Sequence, residues 1–263
     1  VMNGFQFSFI DSVLELSSYH VQIVDNQNSF SEKLDALYYE NKNILSVAPF
    51  LEAQTLMTSE YGKESAAIIR AVPPTIYDSD EGFAKEMMFR IGYFDLEDED
   101  SIIIGSALAR SLDVAIGDTV NLFVLSGSNN TDLFSSDRKF VVTGIFTSGY
   151  SEINSSYCYI NIESGYKYFG QDAKTIYGIK LKNRENDAHV ISEIKKQFPN
   201  VEVKSWRDYN KSFFGALRIE KNMMLLLVAL IFVVVGINIY NGMRRLVFER
   251  RNEIAILSAV GAR

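Results

Sequence analysis

From Met223 to Gly242 the chain runs for twenty residues without a charge (MMLLLVALIFVVVGINIYNG), and only Asn238 and Asn241 in that run are strongly polar. Twenty residues of α-helix rise about 30 Å, the thickness of a bilayer's hydrocarbon core. A core helix of a soluble protein carries a polar stripe where it meets water. This run has none, so it reads as a membrane-spanning helix whose backbone groups are satisfied internally. Everything before it is one large polar domain, and everything after it is a short basic tail.

The charge balance sharpens that division. The tail from Met243 carries five Arg and two Glu, a net of +3, which leaves −10 on residues 1–242. An acidic main domain excludes nucleic acid as a partner, because phosphate binding needs concentrated positive charge. Arg244, Arg245, Arg250 and Arg251 follow the apolar run closely and place a cytoplasmic side there, although Lys204, Arg207, Lys211, Arg218 and Lys221 precede it. Long domains translocate despite their charge, so the short tail is the better witness. The opening VMNGFQFSFI is apolar and has no signal-peptide pattern, as if cut from something longer. The only cysteine, Cys158, sits in the apolar run SYCYIN, forms no internal disulfide and reads as a small core residue.

In chain order, Gly4–Ser17 has a helical period and leads into a strand at His20–Asp25. Ser29 with Glu32 reads as a capping box for a helix through FSEKLDALYYENK. Two long β-prone runs, ILSVAPFLEAQTLMTSE and KESAAIIRAV, meet at Tyr61-Gly62 as a hairpin, and Pro73-Pro74 opens a mixed segment with helix to Met88. Asp95–Asp100 (DLEDED) is dense in carboxylates but lacks the glycine turn of a calcium loop, so it reads as a solvated loop. SIIIG then ALARSL is strand into helix, with a turn at Gly117-Asp118. TVNLFVL (Thr119–Leu125) and RKFVVTGIF (Arg138–Phe146) alternate as strands do. Between them SGSNNTDLFSSD has Leu133 and Phe134 as its only large apolar pair, which fits either a binding loop or a loop whose Phe134 folds back on the sheet. SYCYIN, the helix IESGYKYFG, the strand TIYGIKLKN and a helix at Glu185–Phe198 alternate β-α-β-α, and VEVKSW closes the series. One continuous helix is expected from about Trp206 to about Arg245, roughly 60 Å long. A short amphipathic helix follows, with Ile254, Leu257 and Val260/Gly261 on one face.

No catalytic constellation emerges. His20 and His189 are read as having no good metal ligand at i+3 or i+4. There is no G-x-S-x-G elbow and no C-x-x-C pair. Gly62-Lys63 lacks both the hydroxyl and the upstream glycine of a phosphate loop, so no nucleotide hydrolysis, metal or cofactor is expected. Work done by this chain would draw its energy from another subunit.

Five stretches carry a resemblance to one family: VMNGF, IIIGSALARSLDVAIGD (102–118), FVVTGIF (140–146), RIEKNMM (218–224) and NEIAILSAVGA (252–262). In this order they resemble the permease subunits of the bacterial lipoprotein-releasing ABC transporter, of the LolC/LolE/LolF type. EIAIL-x-x-x-GA alone is shared with the wider FtsX/MacB-like permeases. The resemblance implies an α+β periplasmic domain, a MacB-like periplasmic core with mixed sheets and flanking helices, joined to a transmembrane helix. Residues 1–5 would end a first span, 6–219 form the periplasmic domain, 220–242 the second span and 243–263 a cytoplasmic segment, with further spans after Arg263. Glu253, Ile254, Ala255, Leu257 and Gly261 map to the coupling helix that docks on a LolD-like ATPase subunit.

Asn129, Asn130, Asp132, Leu133, Phe134 and Arg138 map to the hook, a hairpin loop that recruits a LolA-like periplasmic chaperone. SGSNNTDLFSSD stands where that hook bears proline and arginine. A lipoprotein's acyl chains would sit between the spans of two permease subunits, identical or different, against Met223, Met224, Leu227 and Phe232. The implied place is the inner membrane, in a protein that crosses it several times. Two other readings stay open: a MacB- or FtsX-like mechanotransmission permease for efflux, peptide export or control of a cell-wall hydrolase, and a single-span receptor. An enzyme with its own active site comes last.

Overall fold

The computed structural model describes residues 10, 12–25, 43–124, 138–169, 173–198 and 201–261. The chain divides into two compact units, Val1–Tyr209 and Asn210–Arg263.

In the first unit a π-helical turn, Leu14–Ser18, leads into β1 (Val21–Asp25), β2 (Ile44–Ser59) and β3 (Glu64–Val72). Short helices α1 (Ile76–Ser79) and α2 (Glu81–Glu86) precede β4 (Met88–Gly92), β5 (Ser101–Gly105) and α3 (Ser106–Leu112). Then come β6 (Thr119–Val124), β7 (Arg138–Thr147), α4 (Ser151–Ser156), β8 (Tyr157–Asn161) and α5 (Ile162–Phe169). The unit ends with β9 (Thr175–Leu181), α6 (Asp187–Gln197), β10 (Glu202–Ser205) and α7 (Trp206–Tyr209). Among the described residues ten strands join one sheet in the order β10-β1-β9-β2-β3-β8-β5-β7-β4, with β6 pairing both β2 and β7.

The sixteen-residue β2 organises this sheet because its two halves have different neighbours. Ile44–Phe50 pairs with β9, while Leu51–Ser59 lies between β3 and β6. The β2–β3 hairpin closes at Gly62, whose φ of +72° suits the turn that a side chain would strain. Because β6 pairs with both β2 and β7, the strands β2, β3, β8, β5, β7 and β6 close into a ring, which removes their free edges. Period-two alternation sorts the side chains of this ring. Ile102 and Ile104 of β5, with Cys158 and Ile160 of β8, join Met57, Ile69, Leu122, Phe140 and Val142 in one core. Ile103 and Tyr159, from the same strands, face a second core with Phe50, Phe83, Leu96 and Phe146. A third lies under α6, where Val190 and Ile194 cover Val21, Ile23, Ile179 and Leu181.

The expected fold class, mixed sheet with flanking helices joined to one long apolar helix, is what the chain adopts. Several local expectations are corrected. Strand β4 and helix α4 are additional to the sequence reading. The expected β-α-β-α alternation is present as β8, α5, β9 and α6, with β8 parallel to β3 and β9 antiparallel between β1 and β2. The single helix expected from Trp206 is interrupted at Asn210 (φ −97°, ψ 21°), and its long part, α8, is Lys211–Glu249, 39 residues. Asn is a weak helix former whose short amide competes for backbone partners, which suits a break. The helix expected from Ser29 lies outside the described residues. In the second unit α9 (Arg251–Ala259) follows α8.

Candidate functional site

Helix α8 holds the candidate span, Gly215–Glu249, with a mean hydropathy of 2.7 over its most apolar eighteen residues and none of that window buried. It is apolar around its whole circumference, since consecutive residues Leu225, Leu226, Leu227 and Val228 are all at least half exposed. The four residues expected to line an acyl-chain cavity are all exposed. At about 100° per residue Met223 and Leu227 stack one turn apart, Met224 stands beside them, and Phe232 lies about 80° beyond Met224.

Helix α9 presents Leu257 at its surface, and Gly261, with φ +89°, follows its last turn. Glu253 and Ile254 lie in this helix; their side chains are outside the described residues.

At the hairpin, β6 and β7 pair in antiparallel register from Thr119↔Val141 to Leu122↔Arg138. Asn129, Asn130, Asp132, Leu133 and Phe134 lie outside the described residues. Arg138 stands at the hairpin base. Its Nε and Nη2 donate to Asp100 Oδ1 at 3.1 and 2.8 Å, Glu99 is 3.7 Å away, and its guanidinium lies 5.4 Å over the Phe140 ring. The acidic run is therefore not wholly a solvated loop. Leu96 is buried in the second core, Asn161 Nδ2 donates to its carbonyl at 2.8 Å, and Lys167 holds the Glu99 carboxyl below its ordinary range. Beside the hairpin base an apolar groove of about 490 Å³ runs over Leu56, Ala67, Ile68 and Phe123.

Sequence reasoning missed the two buried cations that pin the start of the domain. Arg70 of β3 and Lys180 of β9 are each almost fully buried. Arg70 Nη1 donates to the Leu16 carbonyl at 2.8 Å, its Nε to Glu52 Oε2 at 3.0 Å, and its guanidinium lies 4.3 Å over the Phe50 ring. Tyr159 Oη donates to the same Leu16 carbonyl at 3.0 Å. Lys180 Nζ sits 2.8 Å from Asp80 and 2.6 Å from Glu15. Asp80 in turn caps α2 by accepting from the Phe83 N–H at 3.0 Å. The turn Leu14–Ser18 is thus held by cations from two strands far away in the chain. The available signal was a lone cation inside an apolar strand, in AAIIRAV and TIYGIKL.

His20 and Cys158 are buried in the interior, whereas His189 is exposed. His20 Nδ1 accepts from the Leu181 N–H at 3.0 Å in the buried interior. His189 does have a carboxylate at i+4, contrary to the sequence reading. Glu193 lies 3.5 Å from it on an exposed helix face, and among the described residues no third ligand completes a metal group. Cys158 is buried as expected, and burial pushes its thiol well above the ordinary range.

A family model described as the MacB-like periplasmic core domain matches residues 1–197, three quarters of the chain. The chain belongs to this family. Across 268 residues it is 26% identical to the lipoprotein-releasing system transmembrane protein LolC of Xylella fastidiosa (strain Temecula1), covering 99% of this chain and 63% of that relative. LolC of Haemophilus influenzae is 34% identical over 165 residues, covering 62% of this chain and 41% of that relative. The chain thus spans less than two thirds of these relatives' length, and the family resemblance expected from its motifs is borne out. Among solved structures, the periplasmic region of MacB from Actinobacillus actinomycetemcomitans aligns with a TM-score of 0.47 at 12% identity, over 76% of this chain and 95% of that one.

Proposed function

We propose that this chain is part of a permease subunit of an ABC transporter that extracts lipoproteins from the inner membrane and passes them to a periplasmic chaperone. The observation that carries this reading is similarity to LolC over 99% of the chain, through both the folded domain and the apolar helix. Residues 6–219 form the periplasmic domain, 220–242 cross the bilayer, and 243–263 face the cytoplasm. ATP is hydrolysed in a separate LolD-like subunit. Its closure pushes α9 through Glu253, Ile254, Leu257 and Gly261, and α8 carries the movement across the bilayer. Each CH₂ of a lipid anchor holds with about 0.8 kcal/mol, which is why extraction needs an external source of work. Met223, Met224, Leu227 and Phe232 offer the acyl chains an apolar, partly pliable surface shared with a second permease subunit. Asn129–Phe134 form the chaperone-binding loop, with Arg138 as the anchor of its base.

The test is capture of the organism's soluble lipoprotein chaperone by the detergent-solubilised chain, wild type against Leu133→Asp/Phe134→Asp. Binding by wild type that the double variant loses is expected. A well-folded wild type that captures no chaperone would overturn the chaperone step and favour a MacB- or FtsX-like mechanotransmission permease, which the shared core domain also fits.

A further inference from the structure

The uncharged run ends at Gly242, and arginines follow it at once. Asn241, Arg244, Arg245 and Phe248 stand at i, i+3, i+4 and i+7 of α8, hence on one face. With Glu249 they line a groove of about 450 Å³. The helix ends at Arg250 (φ −91°, ψ 5°), and Arg251 of α9 brings its guanidinium 6.0 Å from the centroid of the Phe248 ring. Arg245 Nε donates to Glu249 Oε1 at 2.9 Å, which orients its fork and offsets part of its charge.

We propose that this groove binds the phosphate of an anionic phospholipid from the leaflet that the C-terminal end of α8 enters. The inference rests on the membrane-spanning reading of α8. With Met223–Gly242 in hydrocarbon, a rise of 1.5 Å per residue puts Arg244 and Arg245 only about 3–5 Å further along the axis, where lipid phosphates lie. A guanidinium fork matches two phosphate oxygens at once, and the Asn241 amide adds a donor at the hydrocarbon edge. Arg244 and Arg245 in the groove, with Arg251 against the Phe248 ring, favour a lipid of net negative charge over a zwitterionic one, whose own ammonium they repel. The groove's own negative charge, the Glu249 carboxylate and about half a unit at the helix C-terminus, is smaller than the charge of the three guanidinia. A lipid held here would fix the depth of α8 and the point at which α9 leaves it.

The test uses the chain in nanodiscs of phosphatidylcholine containing a minority of phosphatidylglycerol. It is then extracted gently, and retained lipids are counted by native mass spectrometry. Wild type is expected to retain phosphatidylglycerol preferentially. Arg244→Gln/Arg245→Gln should cut that preference by at least about fivefold, the effect of one arginine near an anionic surface. Glu249→Gln, which releases Arg245 from its carboxylate, should raise it, an effect that misfolding would not mimic. Inorganic phosphate at matched ionic strength should displace no more lipid than chloride does. Equal retention of the two lipids, an unchanged double variant, or selective displacement by inorganic phosphate would overturn the proposal. A chain that enters nanodiscs without lipid preference sinks this inference alone, whereas a chain that does not enter them sinks the span reading as well.

Discussion

Lys180 and Leu225 both break the usual rule for a soluble protein, in opposite ways. Lys180 is a charge with 1% of its side chain exposed, in the β domain, whereas Leu225 is apolar and 66% exposed on α8. The domain makes its violation tolerable from within, by placing Asp80 and Glu15 against the ammonium and aromatic rings around it. From Met223 to Gly242 no charged side chain is present to offer such compensation. One unit therefore has water as its solvent and spends its polar interactions internally. The other exposes its leucines over a twenty-residue uncharged run, as a membrane-spanning helix would.

The largest expected effect tests the domain side of that contrast. Lys180→Met should destabilise the β domain by about 3–5 kcal/mol, because it leaves the buried Asp80 carboxylate, and the partly exposed Glu15 beside it, without their cation. Chemical denaturation followed by Trp206 fluorescence measures this, and a loss below about 1 kcal/mol would mean that the pair is solvated after all. A matched substitution then sharpens the comparison. Val234 of α8 and Leu45 of β2 are 49% and 51% exposed. Val234→Arg should nonetheless cost about 2.5–3.5 kcal/mol in membrane insertion, while Leu45→Arg should move folding stability by no more than about 0.5 kcal/mol. Equal responses would show that both sites meet the same solvent.

Smaller effects probe how tightly the domain is closed. A Cβ at Gly178 of β9 would meet Tyr19 Cδ2 at 2.4 Å, so Gly178→Ala should cost about 1–3 kcal/mol by overpacking. The same denaturation measurement reads it, and an unchanged midpoint would show that the Tyr19 ring can move aside. The mildest probe is alkali. Burial raises the Tyr19, Tyr157 and Tyr159 phenols, and burial, then the bond to Glu152, pushes Tyr150 up to about 12. An unfolded chain releases these protons near pH 10. Stability from this source is therefore complete below about pH 10 and is lost as pH rises through the folded values. Phenolate absorbance that rises together with unfolding would agree; free titration of every tyrosine in a folded chain would not.

Much of this was legible in the residues because it is local. Twenty uncharged residues specify the apolar helix without reference to any neighbour, and alternation in TVNLFV and RKFVVTGIFT specifies strands in the same way. Family motifs then pointed to the permease, which no periodicity could do. The span residues Met223, Leu227 and Phe232 were recognised as apolar. Arg138 was read as part of a docking loop, and its packing against Asp100, 38 positions away, makes it an anchor.

By itself, then, the sequence determined where the long apolar helix lies, where most of the strands run, and which family the chain joins, since each depends on a short window of side chains. Tertiary structure alone decided that β6 returns to β2 and closes the ring, and that Arg70 and Lys180 hold the Leu14–Ser18 turn. The physical reason is separation along the chain. Lys180 finds Asp80 across 100 residues and Tyr159 finds Leu16 across 143, and such contacts form only once the sheet has brought distant strands together.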